Sequence, residues 1–104
     1  MIIVTTDEIP GRTIKKTLGL VRGNTIRARH VGRDISAALK NLVGGEITDY
    51  TKMMAESREQ ALDRMVEEAE TLNADAIVGV KFTTSMIMQS ASEILAYGTA
   101  VLLE

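Results

Sequence analysis

The stretch EILAYGTAVLL, residues 93–103, does not alternate apolar with polar side chains. Successive side chains of a β-strand point to opposite faces of the sheet, so the stretch has a small apolar face and a larger apolar face. The small face consists of Ile94, Ala96, Gly98, Ala100 and Leu102, and the larger one of Leu95, Tyr97, Thr99, Val101 and Leu103. A strand that is apolar on both faces is covered on both sides. We therefore expect a closely packed helix on the small face and a second cover on the larger one.

Two helices are indicated before this strand. Apolar residues spaced three and four apart predict a long helix from Thr48 or Asp49 to about Leu72. Asn73 follows it and tolerates the left-handed conformation in which helices often end. The same spacing predicts a shorter helix over residues 35–42.

The remaining segments read as extended chain. Residues 1–6 form a short β-branched run, and residues 13–29 and 76–86 are longer strand candidates. Gly19 and Gly23 interrupt the second run, where glycine indicates a bulge, a bend or a close approach of another backbone. A hairpin turn at Gly23 is the alternative. The order of elements predicts an α+β fold, with helices packed on an antiparallel sheet.

Length and composition predict one domain over residues 1–104. The chain has no cysteine, so it forms neither disulfides nor thiolate metal sites. No phosphate-binding glycine loop and no nucleophile elbow is present, so we expect no enzymatic activity. The first residues lack the basic and apolar regions of a signal peptide, and we expect a cytoplasmic protein with no membrane partner.

The charges are unevenly distributed along the chain. Residues 1–45 contain eight Lys or Arg and three Asp or Glu, whereas residues 46–104 contain four and eleven. A basic half can indicate nucleic-acid binding. The arginines and lysines of this half, Arg22 among them, have no aromatic residue near them in the sequence on which a base could stack. The sequence therefore predicts no nucleic-acid partner.

Two methionines and one histidine are the candidate metal ligands. Thioether sulfur binds copper(I), which makes Met86 and Met88 candidates together with His30, the sole histidine. Strand alternation places both methionines in an apolar row that begins at Val78, which favours packing. A site at His30 would need several copies converging in a symmetric ring, because arginines at positions 29 and 33 repel a cation.

Four stretches carry a resemblance to a known family: GLVRGNTIRAR at 19–29, GGEITDYTKMM at 44–54, ADAIVGVKFTTSMI at 74–87 and EILAYGTAV at 93–101. They resemble the YbjQ-like family, small bacterial and archaeal proteins of unknown function that are labelled heavy-metal-binding. The resemblance implies a dodecin-like β-α-β-β subunit, with additional strands that promote assembly into a homopentamer.

Two classes of function remain open for such a homo-oligomer. One is a ring that binds a small ligand or a metal ion in pockets near Gly79, Tyr97 and Gly98. The alternative is a structural or interaction module that displays charged helices. The residues identify no cofactor. The residues expected to be buried between subunits are Leu95, Val101 and Leu103.

Overall fold

A computed structural model describes residues 1–28, 48–88 and 91–104, except the side chains of residues 28 and 48–50. Within these residues the elements are β1 Ile2–Ile3, β2 Ile14–Ala28, α1 Thr48–Thr71, β3 Ala76–Met88 and β4 Ala91–Leu103. The helix packs on one face of a four-stranded sheet with the order β1-β3-β4-β2. This is the predicted α+β class. The helix predicted over residues 35–42 and the candidate ligand His30 lie outside the described residues.

Residues 93–103 belong to the inner strand β4. It pairs antiparallel with β2 on one side and with β3 on the other. The short β1 adds a parallel pair at the outer edge of β3, with Ile2 opposite Ala76 and Ile3 opposite Ile77. The sheet is mixed, because this pair is parallel and the other two are antiparallel. The strands β1 and β2 lie at its opposite edges. Residues 4–13, the N-terminal segment, must cross one face of the sheet to connect them.

The helix buries a narrow stripe of mostly small side chains against the other face. Their spacing of four residues is the period of one side of a helix. The stripe consists of Ser57, Ala61, Met65 and Ala69. It meets Val21 of β2 and the small face of β4, which includes Ala96 and Ala100. The helix ends one residue before the predicted Leu72, and Asn73 has the expected positive φ of 58°.

Gly23 lies where the helix comes nearest to the sheet. A methyl group at Gly23 would overlap the carbonyl oxygen of Ala61 and the amide nitrogen of Met65, and would lie 2.7 Å from Cβ of Arg64. The predicted close backbone approach is confirmed. The alternative of a hairpin turn at Gly23 is wrong, because β2 continues without a break through this position.

Two glycines with positive φ accompany bulges in the sheet. Gly19, with φ 131°, lies at a register shift in β2, and Gly79, with φ 63°, lies at a shift between Val78 and Lys81. A bulge adds one residue to one strand and so changes which face the following side chains occupy. Val78 accordingly packs under the N-terminal segment, whereas Val80 packs under the helix. The single apolar row that was predicted from Val78 onwards is therefore wrong at its start.

The N-terminal segment supplies the second cover that β4 requires. The segment is held by main-chain hydrogen bonds, among them one from the Gly79 amide to the Thr6 carbonyl oxygen at 2.8 Å. Val101 is 1% exposed and Leu103 8%. The expectation that these two residues are buried between subunits is wrong, because the chain's own N-terminal segment covers them. Val4, Ile9 and Ile14 pack against a buried cluster of Ala76, Val78, Val101 and Leu103.

Candidate functional site

The three candidate ligand residues lie together at the bulge between β3 and β4. Val78 pairs with Thr99 and Lys81 pairs with Tyr97, so Gly79 and Val80 together face Gly98. The structure thus brings Gly79, Tyr97 and Gly98 into one neighbourhood. The three residues nevertheless have different surroundings.

Gly98 lies on the helix side of β4, where the space is already filled. A Cβ at this position would lie 2.7 Å from Cγ2 of Ile77, 3.0 Å from the carbonyl oxygen of Val78 and 3.1 Å from Cγ2 of Val80. Real Cβ atoms rarely come so close to their neighbours. Packing of the core therefore accounts for the glycine, and this side of β4 has no room for a ligand.

Gly79 has a backbone role. Its positive φ forms the bulge, and its amide holds the N-terminal segment through Thr6. A Cβ built on it would contact Asp7 Oδ1 at 3.5 Å, an ordinary van der Waals distance. The glycine therefore serves the conformation of β3, and Asp7 is the polar group beside it.

Tyr97 lies on the sheet face away from the helix and is half-buried. It pairs directly with Arg22 of β2 and with Lys81 of β3, both exposed. Directly paired residues of neighbouring strands point to the same face with their Cβ atoms about 5 Å apart. Arg22, Tyr97 and Lys81 therefore form a straight row across three strands, which we call the Tyr97 row.

Sequence reasoning missed both cations of this row. It treated Arg22 as having no aromatic residue nearby, and this is wrong in three dimensions, because Tyr97 lies opposite it. The signal that could have found the pair is the strand register, which depends on contacts between residues far apart in the chain. Two leucines add apolar surface to the same face: Leu20, which is exposed, and Leu95, which is half-buried.

The candidate metal ligands are not brought together. Met86 pairs with Ser92, whereas Met88 pairs with Ala91 after a further register shift. Ser92 and Ala91 are neighbours on β4 and point to opposite faces, so the two methionines lie on opposite faces as well. Met86 is 76% exposed and Met88 60%. The prediction that Met86 and Met88 lie in one apolar row is therefore wrong as well.

Two arginines at the contact between the helix and β2 make structural hydrogen bonds. Arg64 donates to the carbonyl oxygen of Asn24 at 2.6 Å, and Arg27 donates to Gln60 Oε1 at 2.8 Å. Among residues 1–28, 48–88 and 91–104, no group of three or more His, Cys, Asp or Glu is arranged to hold a metal ion. The described residues do not fit a heavy-metal centre.

We therefore predict no tight binding of zinc, copper(II) or cadmium at neutral pH. The physical reason is that neither the exposed, separated thioethers nor a single imidazole supplies the three or four converging ligands such ions need. Isothermal titration calorimetry on the wild type and on His30→Ala checks this. Sub-micromolar binding that disappears in His30→Ala would show instead that histidines converge in an assembly.

The geometry defines a class of protein: a small α+β domain with one helix on a mixed sheet, whose far face is covered in part by its own N-terminal segment. The chain belongs to the YbjQ-like family, since residues 1–104 match the family described as "putative heavy-metal-binding". No helix of the described residues is both long and apolar enough to cross a membrane.

Similar proteins occur in both archaea and bacteria. A UPF0145 protein of Methanosarcina acetivorans is 60% identical over 101 residues, covering 97% of this chain and 95% of that protein. One from Clostridioides difficile is 56% identical over 104 residues, covering 100% and 93%. A crystal structure from Pediococcus pentosaceus, a protein of unknown function of the DUF74 family, superposes with a TM-score of 0.73 at 21% identity and covers 100% and 98% of the two chains. The last likeness concerns the fold.

Proposed function

We propose that the chain is a non-enzymatic, homo-oligomeric binding protein of the cytoplasm, the compartment expected from the sequence. Its subunits join through the outer half of β3, residues 81–88. The single observation that carries the assembly is the exposure of this half-strand. All eight of its residues are exposed, although it belongs to a strand whose first residues, Ala76 to Val78, are buried.

The outer half of β3 carries four exposed apolar side chains, Phe82, Met86, Ile87 and Met88. Phe82 is 43% exposed and Ile87 51%, and both methionines exceed these values. Contiguous exposed apolar surface on a soluble protein usually marks an interaction site. Burying one such side chain completely contributes about 1.5–3 kcal/mol.

The backbone of this half-strand is also available. Among the described residues, β1 pairs only with the start of β3, and the N-terminal segment bonds to β3 no further than Val80. An unpaired edge presents a row of amide and carbonyl groups to which another strand can bond. We expect the strand that bonds to this edge to come from a second copy of the chain, because head-to-tail contacts between identical subunits can close into rings. The family resemblance suggests five subunits.

Lysine substitution on the outer half of β3 should dissociate the oligomer. We expect the wild type at about five times 11.3 kDa and the Met86→Lys/Ile87→Lys variant near 11.3 kDa by multi-angle light scattering. Lysine on an edge strand prevents strand pairing between molecules. Both side chains are exposed in the subunit, so the variant should keep the wild-type circular dichroism spectrum.

The control is Leu72→Lys, which introduces a single lysine at a 41% exposed apolar residue just beyond α1. We expect it to keep the wild-type mass. A wild-type mass near one chain would refute assembly. A folded double-lysine variant of unchanged mass would refute the contact through the outer half of β3, but it would not refute assembly.

A structural or interaction module is the second candidate function. It is favoured by a stripe of carboxylates along the exposed side of α1, opposite its buried face. The stripe consists of Glu56, Glu59, Asp63, Glu67 and Glu70.

Native mass spectrometry separates the two candidates. A small molecule retained by the oligomer supports a binding ring, and a bare oligomer supports the module.

A further inference from the structure

We propose that the Tyr97 row is a binding site for a small aromatic monophosphate. The proposal deepens the ligand-binding part of the proposed function, but it does not depend on the assembly contact. The site lies on the face of the sheet away from α1, within one subunit. Arg22 and Lys81 would hold the phosphate, and the ring of Tyr97 would lie against the aromatic body of the ligand.

The spacing of the row suits such a ligand. Neighbouring strands lie about 4.8 Å apart, so the backbones of Arg22 and Lys81 are separated by roughly 10 Å across β4. Both side chains are long enough to reach over Tyr97 towards one anion. Arginine can bind a phosphate through two parallel hydrogen bonds, while lysine adds a point charge and the tyrosine hydroxyl a further donor.

Both cations are available for a ligand. Within the described part of the chain, neither Arg22 nor Lys81 makes an ion pair or a side-chain hydrogen bond. One acidic side chain on the same face, Glu93, accepts a hydrogen bond at 3.0 Å from Nδ2 of Asn24. A half-buried tyrosine therefore lies between two exposed, unpaired cations on the sheet face away from α1.

The surroundings of the row limit the size of the ligand. On one side lies the row of Leu20 and Thr99, beyond which the N-terminal segment rises from the sheet with Asp7 near Gly79. On the other side lies Leu95, and then Glu93. A long polyanion running along the strands would meet a carboxylate at either end. The face therefore favours a compact ligand with one phosphate over a nucleic-acid strand.

The preference of the site for an aromatic ligand comes from its uncharged side chains, Tyr97 and Leu20. Tyr97 is half-buried, so its ring is held by its neighbours, and Leu20 is 60% exposed beside it. Flat ligands gain from stacking on an aromatic side chain and from covering apolar surface. Inorganic phosphate alone would use the cations but leave these uncharged side chains exposed to water.

Calorimetric or NMR titration with phenyl phosphate and with AMP tests the proposal. We expect both to bind in the micromolar to millimolar range, more tightly than inorganic phosphate or adenosine. Arg22→Gln and Lys81→Gln should each weaken binding about tenfold, the loss typical of a charge-assisted hydrogen bond. Tyr97→Leu should weaken phenyl phosphate more than inorganic phosphate.

Lys15→Gln is the matched control, because Lys15 is an exposed cation at the N-terminal end of β2, seven residues before Arg22. It should leave binding unchanged. The Met86→Lys/Ile87→Lys variant should bind AMP as the wild type does, so failure of the assembly and failure of the site are distinguishable. Absence of binding by both probes at millimolar concentration would overturn the proposal. So would binding that Arg22→Gln and Lys81→Gln leave unaffected.

Discussion

Gly23→Val is expected to prevent α1 from packing on the sheet and to leave the protein unfolded or without fixed tertiary structure. The side chain would enter space held by the backbone of the helix, at Ala61 and Met65. Side-chain clashes can be relieved by rotamer changes, but a clash with helical backbone requires the whole helix to move. Overpacking a core usually costs about 1–3 kcal/mol, and we expect the upper limit to be exceeded here. A domain of this size is stable by only about 5–15 kcal/mol.

Urea unfolding followed by circular dichroism measures this effect, with Gly23→Ala as the smaller step in the same series. Gly19→Ala is the informative control. Its φ of 131° is unfavourable for alanine, yet a Cβ there meets nothing within 4 Å. It should lose about 1–3 kcal/mol through backbone strain alone. If Gly23→Val were no less stable than Gly19→Ala, the described approach of helix and sheet would be wrong.

Val101→Asp is expected to unfold the subunit itself. Val101 is 1% exposed, and it lies in an apolar cluster formed by the start of β3 and by Val4 and Ile9 of the N-terminal segment. A carboxylate placed there would have no partner, and burial of an unpaired charge is among the most destabilising single changes. Val101→Ala, which leaves a small cavity, should cost about 1.5–3 kcal/mol. Thermal unfolding compares the two variants.

Leu95→Asp distinguishes this explanation from an effect on assembly. Leu95 is on the same face of β4 as Val101 but is half-buried, beyond the reach of the N-terminal segment. A carboxylate at Leu95 can remain hydrated, so that variant should fold. A folded, monomeric Val101→Asp protein would indicate that Val101 lies in a subunit interface. It would contradict the finding that the N-terminal segment covers this residue.

The candidate site was only partly accessible from the sequence. Tyr97 stood out because it is the aromatic residue of a strand that is apolar on both faces. Gly98 stood out beside it, but the reason for that glycine is the packing of Ile77 and Val80 on the helix side. Arg22 and Lys81 could not be found, because their relation to Tyr97 exists only in the paired sheet.

Local sequence patterns are sufficient to predict the helix and the long strands of this protein. The helix predicted to begin at Thr48 or Asp49 begins at Thr48 and is followed by a left-handed Asn73, and the long strands lie where their apolar runs predicted them. These features depend on side-chain period, branching and capping, which act between residues a few positions apart. Such interactions can be recognised without knowing how the chain folds back on itself.

Which surface each of these elements presents depends on how the chain folds back on itself. The N-terminal segment, not a neighbouring subunit, covers Val101, and one-residue bulges place Val78 and Val80 on opposite faces and separate Met86 from Met88. A shift of one residue moves every later side chain to the other face of a strand. That register is set by pairing between residues far apart in the chain, so no local pattern in the sequence specifies it.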